Sequence, residues 1–151
     1  MNSPNSTPLI AQTGFTIPAG YQAHTRRSPL TEPWEPILAR ATADAIQLAV
    51  GIRPAHCNSR GFAHGGLISA LADNAMGLSV IQKSRTRPGA ENSRGLTVNL
   101  SVDFIDVAQV GDFVEFHPTV LKVGRNLAFV ECRVVCADRL IARANASFRI
   151  V

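Results

Sequence analysis

The sequence predicts an α+β fold in which an antiparallel β-sheet wraps around one long central α-helix. Three observations carry this. Residues 67–83 are apolar on nearly every side, the pattern of a helix buried all round. One segment of period-two alternation precedes it, and four strand segments follow it. A sheet that must cover a single apolar helix has to curve around it.

The elements follow in order. Six of the nine prolines fall within the first 36 residues. Residues 1 to about 14 also carry Asn, Ser and Thr and read as a loose tail. Residues 15–36 read as an extended segment or short turn, with Trp34 between Pro33 and Pro36 as a packing anchor. Residues 1–36 are therefore separated from a domain over residues 37–151. Ile46, Leu48, Val50 and Ile52 alternate with Gln47, Ala49 and Gly51, giving a half-buried strand closed by Pro54. A glycine-containing loop over residues 57–66 leads into the helix, where Ser69, Asp73 and Asn74 are the main polar side chains. Lys83, Arg85 and Arg87 suit the negative end of the helix dipole. Residues 84–93 form a loop. In residues 96–104, Leu96, Val98, Leu100, Val102 and Phe104 point one way, and Thr97, Asn99, Ser101 and Asp103 the other. Gly111–Asp112 is a turn, residues 113–123 a strand, and Gly124-Arg125-Asn126 a hairpin turn. Residues 127–136 and 140–151 complete the sheet. Five or six strands are expected.

Composition narrows the classes of function. A chain of 151 residues that is 46% apolar and 17% charged is one globular domain. It has no run of about 18 apolar residues, and so no membrane-spanning helix. Residues 1–14 have neither the basic start nor the apolar core of a secretory signal. Three cysteines are an odd count, and Cys132 and Cys136 on one strand would stand about 13 Å apart, too far for a bridge. A reducing cytoplasm is the compartment expected. The net charge is +4, carried almost wholly by arginine, with Lys83 and Lys122 the two lysines. No aromatic stacking pattern of a nucleic-acid binder accompanies it. Arginine equally suits phosphate-bearing small ligands, whose oxygens its fork grips in pairs.

The stretch Asn58-x-x-Gly61-x-x-His64-Gly65-Gly66, with Asp73 seven residues on, resembles the signature of hotdog-fold thioesterases of the phenylacetate-pathway (PaaI-like) type. So do Val102-Asp103-Phe104, Gly111-Asp112, Val123-Gly124-Arg125 and Leu140-Ile141-Ala142 in the strand region. The resemblance covers roughly residues 38–151. Val107 stands where the family often has proline, and the first 35 or so residues are not explained by the family pattern. The resemblance implies an enzyme that cleaves acyl-coenzyme A thioesters to a carboxylic acid and free coenzyme A. It implies sites between the subunits of a dimer, dimers that pair into a homotetramer, and no cofactor, since coenzyme A belongs to the substrate. Neither nucleic acid nor membrane is an expected partner.

The residues themselves supply a chemistry. Gly65 and Gly66 open the helix, where backbone N–H groups lack intrahelical acceptors and suit an oxygen gaining negative charge; the Gly66 N–H is the expected donor to the thioester carbonyl, with Gly65 beside it against the substrate. Asp73 is costly on an apolar helix unless it has partners or faces a cleft. It can attack a thioester carbon or activate water. Asn58 can donate to a carbonyl or shape a turn, and His64 can act as a base or fix its loop. Thr97, on the polar side of its strand, matches the family position holding a hydroxyl near the water or carboxylate. Lys122, Gly124, Arg125 and Asn126 form a basic hairpin that the resemblance places against coenzyme A; Arg85, Arg87 and Arg94 are further candidates for its phosphates. His56, Cys57 and His64 lack metal-ligand spacing, so no metal is expected, and no Gly-x-Ser-x-Gly elbow occurs. Two rival readings remain: a hydratase or dehydratase pairing His64 with Asp73, and a non-catalytic acyl-CoA-binding protein.

Overall fold

The computed structural model describes residues 14–151, in which seven strands form one sheet around one long helix. The strands are β1 (Gln22–Ala23), β2 (Leu38–Ala41), β3 (Ile46–Gly51), β4 (Gly95–Phe104), β5 (Phe113–Val123), β6 (Leu127–Cys136) and β7 (Arg139–Ile150). Their order across the sheet is β1-β2-β3-β5-β6-β7-β4, with every neighbouring pair antiparallel. The helix α1 (Gly65–Arg85) lies in the concave face. This is the architecture expected from the sequence, with two short strands more than the five that alternation marks. Neither β1 nor β2 is long enough to show a period. The tail expected over residues 1 to about 14 lies, Gly14 apart, outside the described residues.

The helix is uninterrupted because no proline falls between Pro54 and Pro88. His64 caps its start, its ring Nδ1 accepting the Gly66 N–H at 2.8 Å. Leu67, Leu71, Ala75 and Met76 are almost wholly buried against Val114 and Phe116 of β5 and Val130 and Val134 of β6. On β7 the inward positions are Ala142, Ala144, Ala146 and Phe148. Three alanines let the helix approach closely, and Gly77 takes this furthest: a Cβ there would meet the Phe148 ring at 3.1 Å. Ser79, buried mid-helix, donates to Ala75 O at 2.7 Å and accepts the Ile46 N–H at 2.9 Å, tying α1 to the start of β3.

Two sequence expectations need correction. β3 is covered on both faces, not half-buried: Ala49 is enclosed on the outer side by Tyr21 and Leu38, with Ile17 and Phe113 beside them. Tyr21 donates to Glu115 Oε1 at 2.8 Å, and the Arg40 guanidinium lies 4.3 Å from its ring centre. The N-terminal segment is thus fastened across the back of the sheet. The second correction concerns β4. Its register against β7 shifts between Thr97 and Asn99, leaving Val98 as the extra residue of a bulge. Thr97 pairs with inward-facing Phe148, and Leu100, Val102 and Phe104 pair with inward-facing alanines. Strict alternation would put Thr97 on the opposite face from Leu100. The bulge puts both on the helix side.

Candidate active site

That bulge brings β4 chemistry to the helix. Thr97 Oγ1 donates to Asp73 Oδ1 at 2.8 Å. A hydroxyl donating to one carboxylate oxygen fixes the carboxylate plane and leaves Oδ2 free to accept a proton. Asp73 is half-buried, so this hydrogen bond also offsets part of its desolvation. Both residues line a cavity of about 490 Å³. Its apolar lining is Gly77, Leu78 and Ile81 of α1, Leu96 of β4 and Phe148 of β7. Apart from Gly95, the remaining lining is polar and strongly basic.

The other residues singled out from the sequence fall elsewhere. Asn58 is exposed and shapes its own turn, its Oδ1 accepting the N–H of Arg60 at 2.9 Å and of Phe62 at 3.2 Å. His64 is the helix cap, and its Nδ1 takes the Gly66 N–H. No described residue accepts the N–H of Gly65, so of the two glycines Gly65 has a donor to offer. The ring of Phe104 lies over it: a Cβ on Gly65 would stand 3.1 Å from Phe104 Cζ. Gly65 and Asp73 are separated by eight residues on one straight helix, about 12 Å.

The basic hairpin lies at the far end of the helix. Arg87, just past α1, donates to Gly124 O at 2.7 Å, and Gly124 N–H closes the turn on Leu127 O at 2.7 Å. A Cβ on Gly124 would come within 2.8 Å of that same oxygen. Asn126 O accepts the Ile150 N–H. Lys122, Arg125 and Asn126 are exposed. None of the hairpin residues, nor Asn58, Gly65 or His64, lines the cavity. Leu78 lines the cavity, whereas Met76 is buried in the core and Phe62 forms a bridge with Gln109.

His56 and Cys57 are engaged structurally. His56 is almost fully buried; its Nδ1 accepts the Arg53 N–H at 3.0 Å and its Nε2 faces Trp34 O at 3.0 Å. Arg53 also donates to Glu35 O. The bend after β4, made without the family's proline, is held by Arg139, which donates to Asp106 Oδ2 at 2.9 Å and to Val107 O at 3.1 Å. The Val107 N–H and the Arg139 guanidinium together hold the Asp106 carboxyl below its ordinary range.

One long helix in a curved antiparallel sheet is the hotdog architecture, and in it the Asp73 carboxylate, held by the Thr97 hydroxyl, stands at a cavity. The family model of the thioesterase superfamily matches residues 60–142, more than half of the chain, and the chain belongs to that superfamily. It is 40% identical over 138 residues to a Pseudomonas aeruginosa protein provisionally named an esterase, covering 90% of this chain and 98% of that one. It is 27% identical over 110 residues to human acyl-coenzyme A thioesterase 13, covering 72% and 74%. Among solved structures it resembles a mutant of the phenylacetic acid degradation protein PaaI from Thermus thermophilus, with a TM-score of 0.68 and 24% identity, covering 81% of this chain and 98% of that one. The protein is a thioester hydrolase of this superfamily.

Proposed function

We propose that this protein hydrolyses an acyl- or aryl-acyl-coenzyme A thioester to the carboxylic acid and free coenzyme A, with Asp73 as the reacting carboxylate. The observation that carries the reading is the Thr97–Asp73 hydrogen bond at the cavity wall. Superfamily membership and the name of the human relative support the thioester and the coenzyme A. As a base, Asp73 takes a proton from water as the water oxygen bonds to the thioester carbon. The C–S bond then breaks, and the proton passes to the departing thiolate. As a nucleophile, Asp73 bonds to the thioester carbon and the C–S bond breaks, expelling coenzyme A as a thiolate that takes up a proton; water then opens the resulting anhydride to give the product acid and the Asp73 carboxylate. Both routes need a donor for the carbonyl oxygen, and a donor about 12 Å away along the same helix cannot supply it. The N–H of Gly65 from a second copy of the chain meets this need, with Gly66 contributing only when His64 turns aside.

A second copy is also what β4 calls for. β4 is a ten-residue edge strand on which Leu96, Val98 and Phe104 are exposed. Such an edge pairs with another chain. A homodimer through β4, paired again into a tetramer, completes the site, and the basic hairpin of Lys122, Gly124, Arg125 and Asn126 then holds the nucleotide of coenzyme A. The cytoplasm, where acyl-CoA and reduced thiols coexist, suits this activity. The His64 Nδ1 accepts the Gly66 N–H as a helix cap, an engagement that supports hydrolysis over a His–Asp hydratase.

The test is a panel of aryl-, short- and long-chain acyl-CoA substrates with wild type and Asp73→Asn. The variant keeps the shape and should lose 10²-fold or more in kcat, the order of a general-base loss. A folded Asp73→Asn protein with near-normal turnover removes Asp73 from the chemistry.

A further inference from the structure

The cavity beside Asp73 has a wall that the thioesterase match, beginning at residue 60, does not reach. That wall is His24, Arg26, Arg27, Ser28 and Thr31 of the N-terminal segment. The wall is fixed at both ends. On one side β1 pairs with β2, and the His24 N–H donates to Ile37 O at 2.8 Å. On the other, Thr31 is buried and closes a turn on Ser28, whose carbonyl accepts the N–H groups of Thr31 and Glu32. The charge of the cavity is one-sided. Arg26, Arg27, Arg85 and Arg94 line it, and Asp73 is the one carboxylate among the lining residues. None of the four arginines forms an ion pair among the described residues. Residues 1–13 contain no Asp or Glu that could supply one. Arg40, Arg139 and Arg143 are the arginines that form ion pairs among the described residues.

We propose that residues 24–31 are a substrate-recognition wall, and that Arg26 and Arg27, together with Arg85 and Arg94, bind an anionic group of the thioester substrate. Four exposed guanidiniums line one cavity with a single carboxylate among its lining residues, so an anion that enters meets net positive charge. Planar forks are suited to grip carboxylate or phosphate oxygens two at a time. The anion is either a carboxylate at the far end of the acyl chain or a phosphate of the coenzyme A nucleotide. A wall preorganised at both ends loses little entropy on binding, so the charge contacts translate into affinity. This inference rests on the thioesterase reading for its substrate, and on the cavity alone for its anion.

The experiment compares wild type with the full-length Arg26→Gln/Arg27→Gln variant on four thioesters. These are hexanoyl-CoA, adipoyl-CoA, hexanoyl-pantetheine and adipoyl-pantetheine, which separate nucleotide phosphates from acyl carboxylate. The readout is the ratio of kcat/KM for anionic over neutral substrates. If the phosphates are read, the preference for CoA over pantetheine should fall about tenfold in the variant for both acyl groups, the loss of one charge-assisted contact. If the carboxylate is read, the preference for adipoyl over hexanoyl should fall by that amount on both carriers. Unchanged ratios throughout, or a wild type that prefers neither anion, overturn the proposal. Should the variant not fold, inhibition of wild type by pyrophosphate or adipate against hexanoyl-pantetheine decides in its place, and absence of competitive inhibition by both overturns it. A wild type that cleaves none of the four thioesters defeats the thioesterase reading instead. Calorimetric titration with pyrophosphate and adipate then still reads the anion site: binding supports it, and no binding overturns it.

Discussion

Asp73 and Thr97 are 24 positions apart in sequence, and one hydrogen bond of 2.8 Å makes them a unit. Thr97→Val keeps the shape of the side chain and removes the donor. With its plane no longer fixed, the carboxylate should lose about tenfold in kcat, corresponding to a hydrogen bond of roughly 1.4 kcal/mol. Thr97→Ser should restore most of it; equal losses in the two variants would show that packing, not the hydroxyl, matters at this position. His56 gives a second prediction, in stability. Burial first, then the Arg53 charge, lowers its pKa, against a raising effect from Trp34 O. Its Nδ1 must stay unprotonated to accept the Arg53 N–H. The folded pKa lies below the unfolded value of about 6.5, so the fold favours the neutral ring. That stability is fully present above about pH 6.5 and is lost as pH falls through the lowered folded value. Thermal unfolding from pH 7.5 to 5 should show the midpoint falling, and His56→Gln should flatten part of that slope. A variant with the wild-type slope would place the acid sensitivity elsewhere. Cys132 is the opposite case, its thiol pushed up to about 12, mainly by burial, so at neutral pH it stays a thiol inside the core.

At the scale of elements, the helix is held to β3 by one buried hydroxyl. Ser79→Ala leaves the Ile46 N–H without its acceptor and should cost about 1–2 kcal/mol in denaturant unfolding, less a few tenths regained in helix propensity. An unchanged midpoint would mean that Ile46 finds water instead. The helix was legible because apolar residues on nearly every face admit only a buried helix, and the hairpin because Gly124-Arg125-Asn126 separates two alternating runs. The four-residue β2 and two-residue β1 were not, since a period needs more residues to declare itself. The direction of Thr97 was not legible either. Alternation assigns it outward, and only pairing with β7 reveals the bulge at Val98 that turns it to the helix. The same holds for the arginine wall. Arg26 and Arg27 are adjacent in a proline-flanked stretch, a weak signal, and their approach to Asp73 depends on how β1 and Tyr21 fasten the segment to the sheet.

One helix carries both halves of the proposed site, Gly65 at its start and Asp73 near its middle, and this makes a prediction that a single chain cannot satisfy. If Asp73 works against the helix start of a second copy, the unit of activity is an oligomer, not the 16.2 kDa chain. Gly65→Pro isolates the donor. Gly65 is the first helical residue, where proline is well tolerated. His64 before it already has φ −67° and ψ 134°, an extended conformation that suits a residue preceding proline. The substitution asks the exposed Phe104 ring to move by a few tenths of an ångström and removes one N–H. Gly65→Pro alone and Asp73→Asn alone should each be nearly inactive. In an equal mixture refolded together, half the dimers carry one of each. In those, one site combines both lesions, while the other joins an intact Asp73 to an intact Gly65. About a quarter of wild-type activity should therefore return, and none should return when the two preparations are mixed without exchange of subunits. A mixture that stays inactive, with heterodimers demonstrated by mass, would place the carboxylate and its carbonyl donor within one chain and remove the shared site.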